Sequence, residues 1–322
     1  MQNLDKTVGF LGECMIELKG SPQMGITQGY AGDTLNAALY FNRLLKTAGV
    51  TTQYITALGT DAFSDHMLDF IQAESIKTDF VLRRADKLPG IYAINVDASG
   101  ERSFSYWRDQ AAAKFYFDEH LGEQVFAALG RLDALYLSGI SLAILPENGR
   151  SRLFELLDII KAKGGAIYFD NNFRPKLWPD LAIARTVYER VLAQADIALL
   201  TLDDEALLFG SATPEAILDR LAPLKIPEIV IKQGKDACIV ASQNNIVTIN
   251  AQHVDKPVDT TAAGDSFGAA YLACRMAGGD ACAAAQAGHS LAAAVIQHEG
   301  AILPDVNMPS RLVPSTEYLI FR

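Results

Sequence analysis

Apolar residues recur along the chain in two rhythms. Short, nearly unbroken apolar runs alternate with longer stretches whose apolar positions fall three and four apart. The runs are Val8–Leu11, Tyr54–Leu58, Ala134–Ser138, Ala166–Asp170, Ile197–Thr201 and Glu228–Lys232. Runs of this length predict strands buried on both faces. The helical period predicts helices over Thr34–Ala48, stopped by Gly49, over Ser151–Lys163, closed by Gly164-Gly165, and over Leu181–Gln194. Strands alternating with helices imply an α/β fold, a parallel sheet covered by helices.

One region breaks the rhythm. From Gly90 to Trp107 the pattern alternates residue by residue, with Tyr92, Ile94 and Val96 on one face, then Phe104 and Tyr106. Asp97-Ala98-Ser99-Gly100 supplies turn chemistry between them. The expectation is an aromatic hairpin, followed by Arg108, that serves as a lid or a contact between subunits. The plainer alternative is a hairpin that only extends the sheet.

Composition narrows the class. No linker, low-complexity tract or repeat interrupts the 322 residues, half of which are hydrophobic, so a core forms without metals or disulfides. A formal net charge of −10 argues against a nucleic-acid partner, although a few arginines can still make one cleft basic. Cys14, Cys238, Cys274 and Cys282 lie in apolar contexts without a C-x-x-C pair, which predicts buried free thiols. The histidines show no metal-binding spacing. Neither a signal peptide nor a long apolar run is present, so a cytoplasmic chain with no membrane partner is expected.

The densest chemistry is Asp259-Thr260-Thr261-Ala262-Ala263-Gly264-Asp265-Ser266-Phe267, just ahead of a helical pattern. Small residues with one Gly let the backbone turn tightly, and a helix beginning there aims its free N–H groups at an anion. Asp265 adds negative charge to that site. It has a role if it takes a proton from a hydroxyl attacking phosphorus; otherwise it is an ordinary N-cap. A P-loop is absent, since Gly234-Lys235 is followed by Asp236, and the first strand leads into Gly12-Glu13-Cys14 rather than G-x-G-x-x-G. ATP-dependent transfer to a hydroxyl explains both the anion site and its acid.

These residues resemble the C-terminal signature of the ribokinase-like (PfkB) carbohydrate kinases, and Gly32-Asp33-Thr34-Leu35-Asn36 resembles the N-terminal counterpart. The resemblance spans the chain through Gly12-Glu13 and Lys232-Gln233-Gly234. It implies one kinase domain over residues 1–322, a three-layer sandwich with a mostly parallel sheet. A small β-sheet lid would come from segments roughly 13–31 and 89–116. Gly12-Glu13-Cys14-Met15-Ile16-Glu17, Tyr106-Trp107-Arg108 and Asp170-Asn171-Asn172-Phe173-Arg174-Pro175 are most similar to the branch acting on 2-keto-3-deoxygluconate. The chain departs from the wider family at Leu202, where Asn is usual, and at Ala262, where many relatives have Gly.

What the resemblance implies is specific. Asp265 takes the proton of the terminal hydroxyl, and backbone N–H groups of Ala262, Ala263 and Gly264 hold charge on the transferred phosphoryl. Arg108 and Arg174 form the guanidinium pair that suits a carboxylate, with Tyr92 and Tyr106 beside them and Gly32, Asp33 and Asn36 toward the hydroxyls. Asn172, Glu205, Lys232, Gly234, Asp236, Ala263 and Gly264 fall on the ATP side. Magnesium bridges the phosphates without a direct protein ligand, Glu205 ordering its water. The resemblance also allows a monovalent cation beside Asp259 and Thr261, and a homo-oligomer joined through the lid. The rival readings are another sugar kinase of the family, fructokinase-like, and a sugar or nucleotide sensor without turnover.

Overall fold

The computed structural model describes residues 4–21, 25–96, 102–242 and 245–309. The strands are β1 (Lys6–Leu11), β2 (Met15–Ser21), β3 (Gly25–Ala31), β4 (Val50–Gly59), β5 (Val81–Arg84), β6 (Gly90–Val96), β7 (Arg102–Trp107), β8 (Ala134–Ser138), β9 (Ala166–Asp170), β10 (Ile197–Thr201), β11 (Glu228–Lys232), β12 (Ala237–Ser242) and β13 (Asn245–Asn250). The helices are α1 (Asp33–Leu45), α2 (Ala62–Ala73), α3 (Glu123–Leu129), α4 (Gly139–Ile144), α5 (Glu147–Ala162), α6 (Leu181–Leu192), α7 (Leu202–Phe209), α8 (Pro214–Leu221), α9 (Ala263–Met276) and α10 (Ala281–Val295).

The larger sheet runs β13-β12-β11-β10-β9-β8-β1-β4-β5. Every pairing from β11 to β5 is parallel, and only β12 and β13 turn back antiparallel. Alternate residues of each strand feed two cores. Phe10, Tyr136, Leu199 and Val230 pack with α1, α9 and α10, while Leu137, Phe169, Leu200 and Ile231 pack with α5, α6 and α8. Helices on both faces explain why these strands are apolar throughout. The result is the expected three-layer α/β sandwich.

The strands at 134–138, 166–170, 197–201 and 228–232 have the expected limits. Other limits move. α5 starts at Glu147 rather than Ser151, because Pro146 at its N-cap and an acidic first turn favour an earlier start. Gly164, at φ 83, follows its end in the left-handed conformation that suits glycine.

The aromatic hairpin does not extend the larger sheet. It belongs to a separate sheet, β3-β2-β6-β7, in which β2 pairs with β6 in parallel. Its turn, Asp97-Ala98-Ser99-Gly100, lies outside the described residues. Tyr92 and Tyr106 are cross-strand partners whose rings stack at 5.9 Å. Tyr92 and Ile94 pack inward with Met15, Ala31 and Ala301, whereas Ile26, Phe104 and Trp107 are exposed.

Cys14, Cys238 and Cys274 are buried free thiols, but Cys282 is exposed. It is the second residue of α10, where Ala281 and Ala283 on either side are only partly buried, so an apolar neighbourhood in sequence does not become a packed one. Among the described residues no helix is long and apolar enough to cross a membrane.

Candidate active site

The carboxyl ends of β1, β8, β9, β10 and β11 meet the small sheet around a cleft of ≈ 800 Å³. Strand carboxyl ends are where open α/β sheets receive ligands. Most of the expected residues converge here. Gly32, Asp33, Asn36, Tyr92, Tyr106, Arg108, Asn172, Arg174, Lys232, Ala262, Ala263, Gly264 and Asp265 all line the cleft.

α9 begins through Ala262, which holds φ 61 and ψ 14 in the left-handed region. Ala262 is thus the N-cap, and Asp265 sits one turn in, so the acid is not the helix cap. The Ala263 N–H reaches the Thr260 carbonyl at 3.3 Å. That leaves the N–H groups of Gly264 and Asp265 as first-turn donors with no carbonyl inside the helix to bond.

Half-buried Asp265 accepts a hydrogen bond from Asn36 Nδ2 at 2.8 Å. Its carboxyl is pushed up to about 7, chiefly by burial and then by the neighbouring charges of Asp33 and Asp170, against the opposing pull of Asn36 and Lys232. Lys232 Nζ pairs with Asp170 Oδ2 at 2.8 Å, both side chains buried. A Cβ on Gly264 would stand 3.7 Å from that ammonium, so Lys232 lies beside the first turn of α9. Together these groups place the first-turn N–H donors, an ammonium and a carboxyl of raised proton affinity beside one another.

Asp33 opens α1 and accepts from Asn172 Nδ2 at 2.7 Å. Asn172 has φ 21 just beyond β9, and its backbone N–H donates to Asp170 Oδ1 at 3.3 Å. A residue expected on the nucleotide side is therefore tied to the acid expected on the substrate side. Gly32 leaves no room for a side chain: a Cβ there would collide with the Glu13 carbonyl oxygen. Arg174 is half-exposed and lies 3.7 Å from Asp204, whose carboxyl is raised by burial. Arg108 is paired with Glu13.

Three expected residues are not among those lining the cleft. Glu205 is buried in an ion pair with Arg220 and accepts from Asn171 Nδ2 at 3.2 Å, not in a solvated acidic run. Gly234, at φ 63, and Asp236 form the turn between β11 and β12. Conversely, Glu13, Asp170 and Asp204 face the cleft without having been singled out. Asp170 ends a strand and Glu13 follows one, a position that carried the signal.

A second hollow of ≈ 780 Å³ opens at the amino ends of β10 and β11. Its buried acid, Glu228, accepts from Tyr271 Oη at 2.7 Å and from Arg275 Nε and Nη2, each at 3.0 Å.

Residues 6–307 match the family model described as pfkB family carbohydrate kinase. The 2-dehydro-3-deoxygluconokinase of Dickeya dadantii (strain 3937) is 46% identical over 310 residues, covering 95% of this chain and 99% of that protein. The Escherichia coli (strain K12) protein of the same name is 44% identical over 312 residues, covering 95% and 100%. A provisionally named ribokinase II from E. coli, solved with ATP and Mg2+, superposes with a TM-score of 0.78 at 25% identity. That match covers 92% of this chain and 94% of the other. Fold, cleft and near-complete coverage lead to one conclusion: the chain belongs to the pfkB family of carbohydrate kinases.

Proposed function

We propose that the chain uses ATP to phosphorylate the terminal hydroxyl of 2-keto-3-deoxy-D-gluconate, giving 2-keto-3-deoxy-6-phosphogluconate. The observation that carries the reading is the Asp265 carboxyl in the first turn of α9, beside N–H donors left free for an anion and sharing its cleft with two arginines. Relatives at 46% and 44% identity named for this activity support the choice of sugar acid.

Asp265 accepts the hydroxyl proton as that oxygen bonds to the γ-phosphorus and the bond to ADP breaks. A carboxylate with near-neutral proton affinity is a stronger base than an ordinary Asp and is still ionised above neutrality. The N–H groups of Gly264 and Asp265, with Lys232, face the charge on the transferred phosphoryl. Arg108 and Arg174 bind the substrate carboxylate, and Asp33 and Asn36 receive its hydroxyls. Exposed Asp203 and buried Asp204 also face the cleft and are oxygen donors of the kind that suits the hydration shell of Mg2+. Bound there, Mg2+ offsets the phosphate charge.

The reading includes a homo-oligomer joined through the small sheet, supported by exposed Ile26, Phe104 and Trp107. It also includes a cytoplasmic location, supported by the buried free thiols of Cys14, Cys238 and Cys274. An ADP-release assay over sugar acids and neutral sugars tests the substrate. The keto-deoxy acid should exceed fructose by about 100-fold in kcat/KM; a preference for fructose would overturn the reading.

A further inference from the structure

We propose that Glu13, just after β1, is a positioning residue that holds the Arg108 guanidinium in the orientation that reads the substrate carboxylate. This rests on the proposed function and adds a residue outside its binding and catalytic set. Glu13 is only 3% exposed, and its Oε2 accepts from Nη2 of Arg108, the residue after β7. Its other oxygen, Oε1, has no hydrogen-bond partner. Glycine makes room for it on two sides. A Cβ on Gly90, at the start of β6, would collide with Oε1, and one on Gly32, the N-cap of α1, with the Glu13 carbonyl oxygen.

A buried carboxylate beside the place where a carboxylated substrate binds calls for a reason. Burial raises its proton affinity, opposed chiefly by Arg108. Its charge does not attract the substrate; it repels it. What Glu13 supplies is direction. The guanidinium carries five donors in one rigid plane, so fixing one edge fixes the other. Arg108 Cζ lies 6.0 Å from the Tyr106 ring centroid, and Arg108 Nε is buried without a partner. Nη2 is thus committed to Glu13, while Nη1 is left to donate to a second carboxylate. The pair also links a loop of the larger sheet to the last strand of the small one, 95 residues apart in sequence.

The test is a set of variants with 2-keto-3-deoxygluconate and ATP varied separately. Positioning makes geometry matter more than charge. Glu13→Ala should raise KM for the acid about tenfold, with KM for ATP within about twofold and kcat within about threefold. Glu13→Asp, which withdraws the carboxylate by one methylene, should come next. Glu13→Gln, which keeps an acceptor for Arg108, should lose least. In an Arg108→Ala background none of the three should raise KM further. If Glu13→Ala does not fold, the Asp and Gln variants carry the same comparison. The proposal is overturned if Gln harms as much as Asp, if the effects add to Arg108→Ala, or if KM for ATP rises in step. Should Arg108→Ala leave KM for the acid unchanged, the reading of the cleft fails and the proposal with it. Should Arg108→Ala raise it while no Glu13 variant does, only the proposal fails.

Discussion

The two ends of the larger sheet carry hollows of nearly equal volume, ≈ 800 and ≈ 780 Å³, and α9 supplies residues to both. Each contains an acid, but in opposite circumstances. At the amino end both oxygens of Glu228 are engaged, by Tyr271 and Arg275. At the carboxyl end Asp265 accepts one side-chain bond from Asn36 and faces the charges of Asp33 and Asp170, while Lys232 is paired with Asp170. One acid has its charge met and holds the fold together. The other carries unmet charge, which bound ligands can use. Volume does not tell these hollows apart; the state of their carboxylates does.

The comparison fails at once if Asp265 is dispensable. Asp265→Asn should lower kcat about 10³-fold while calorimetry shows ATP binding retained; a loss below about tenfold would remove the general base. Next in size, Arg108→Ala and Arg174→Ala should each raise KM for the sugar acid about 10- to 100-fold and leave KM for ATP alone. At the other end, Glu228→Gln should cost about 1–3 kcal/mol in urea unfolding with kcat within about twofold. Lost turnover with unchanged stability would mean that the amino-end hollow also serves the reaction.

Smaller effects sharpen the contrast. The acid limb of kcat should fall near pH 7, where Asp265 loses its proton. The Asn36 bond favours the charged form, so Asn36→Ala should move that limb upward by about half a unit to one unit; a downward move would contradict the assigned hydrogen bond. Stability should carry the same signature. Asp265 is raised from 3.8 to about 7, so the folded chain holds a proton that the unfolded chain has already released. Its contribution to stability therefore falls as pH rises through that interval. Asp265→Asn should raise Tm at pH 8 by a few degrees and leave it unchanged at pH 3.

Much of the architecture was legible because doubly buried strands leave little choice of residue. Ala134–Ser138 and Ile197–Thr201 appear in the sequence as they do in the sheet. β3 was not legible from periodicity, because it is exposed over most of its length and pattern tracks burial. The antiparallel edge strand β13 was missed for the same reason. In the cleft, Asp265, Asn36 and Lys232 follow from motifs. The Glu13–Arg108 and Asp33–Asn172 bonds join residues 95 and 139 apart, and no local spacing encodes them. Glu205 shows the reverse: an acid beside a motif was absorbed by Arg220, itself unremarkable in sequence.

Ala262 occupies a conformation that favours glycine, at φ 61. Left-handed backbone costs an alanine roughly 1 kcal/mol, yet a methyl group there also removes loop shapes that glycine would explore. The anion turn is therefore partly frozen before any nucleotide arrives, and less ordering entropy remains to oppose binding. In an Ala262→Gly chain, a more mobile turn would make ATP association more exothermic and entropically less favourable at similar affinity, a difference that calorimetry reads directly.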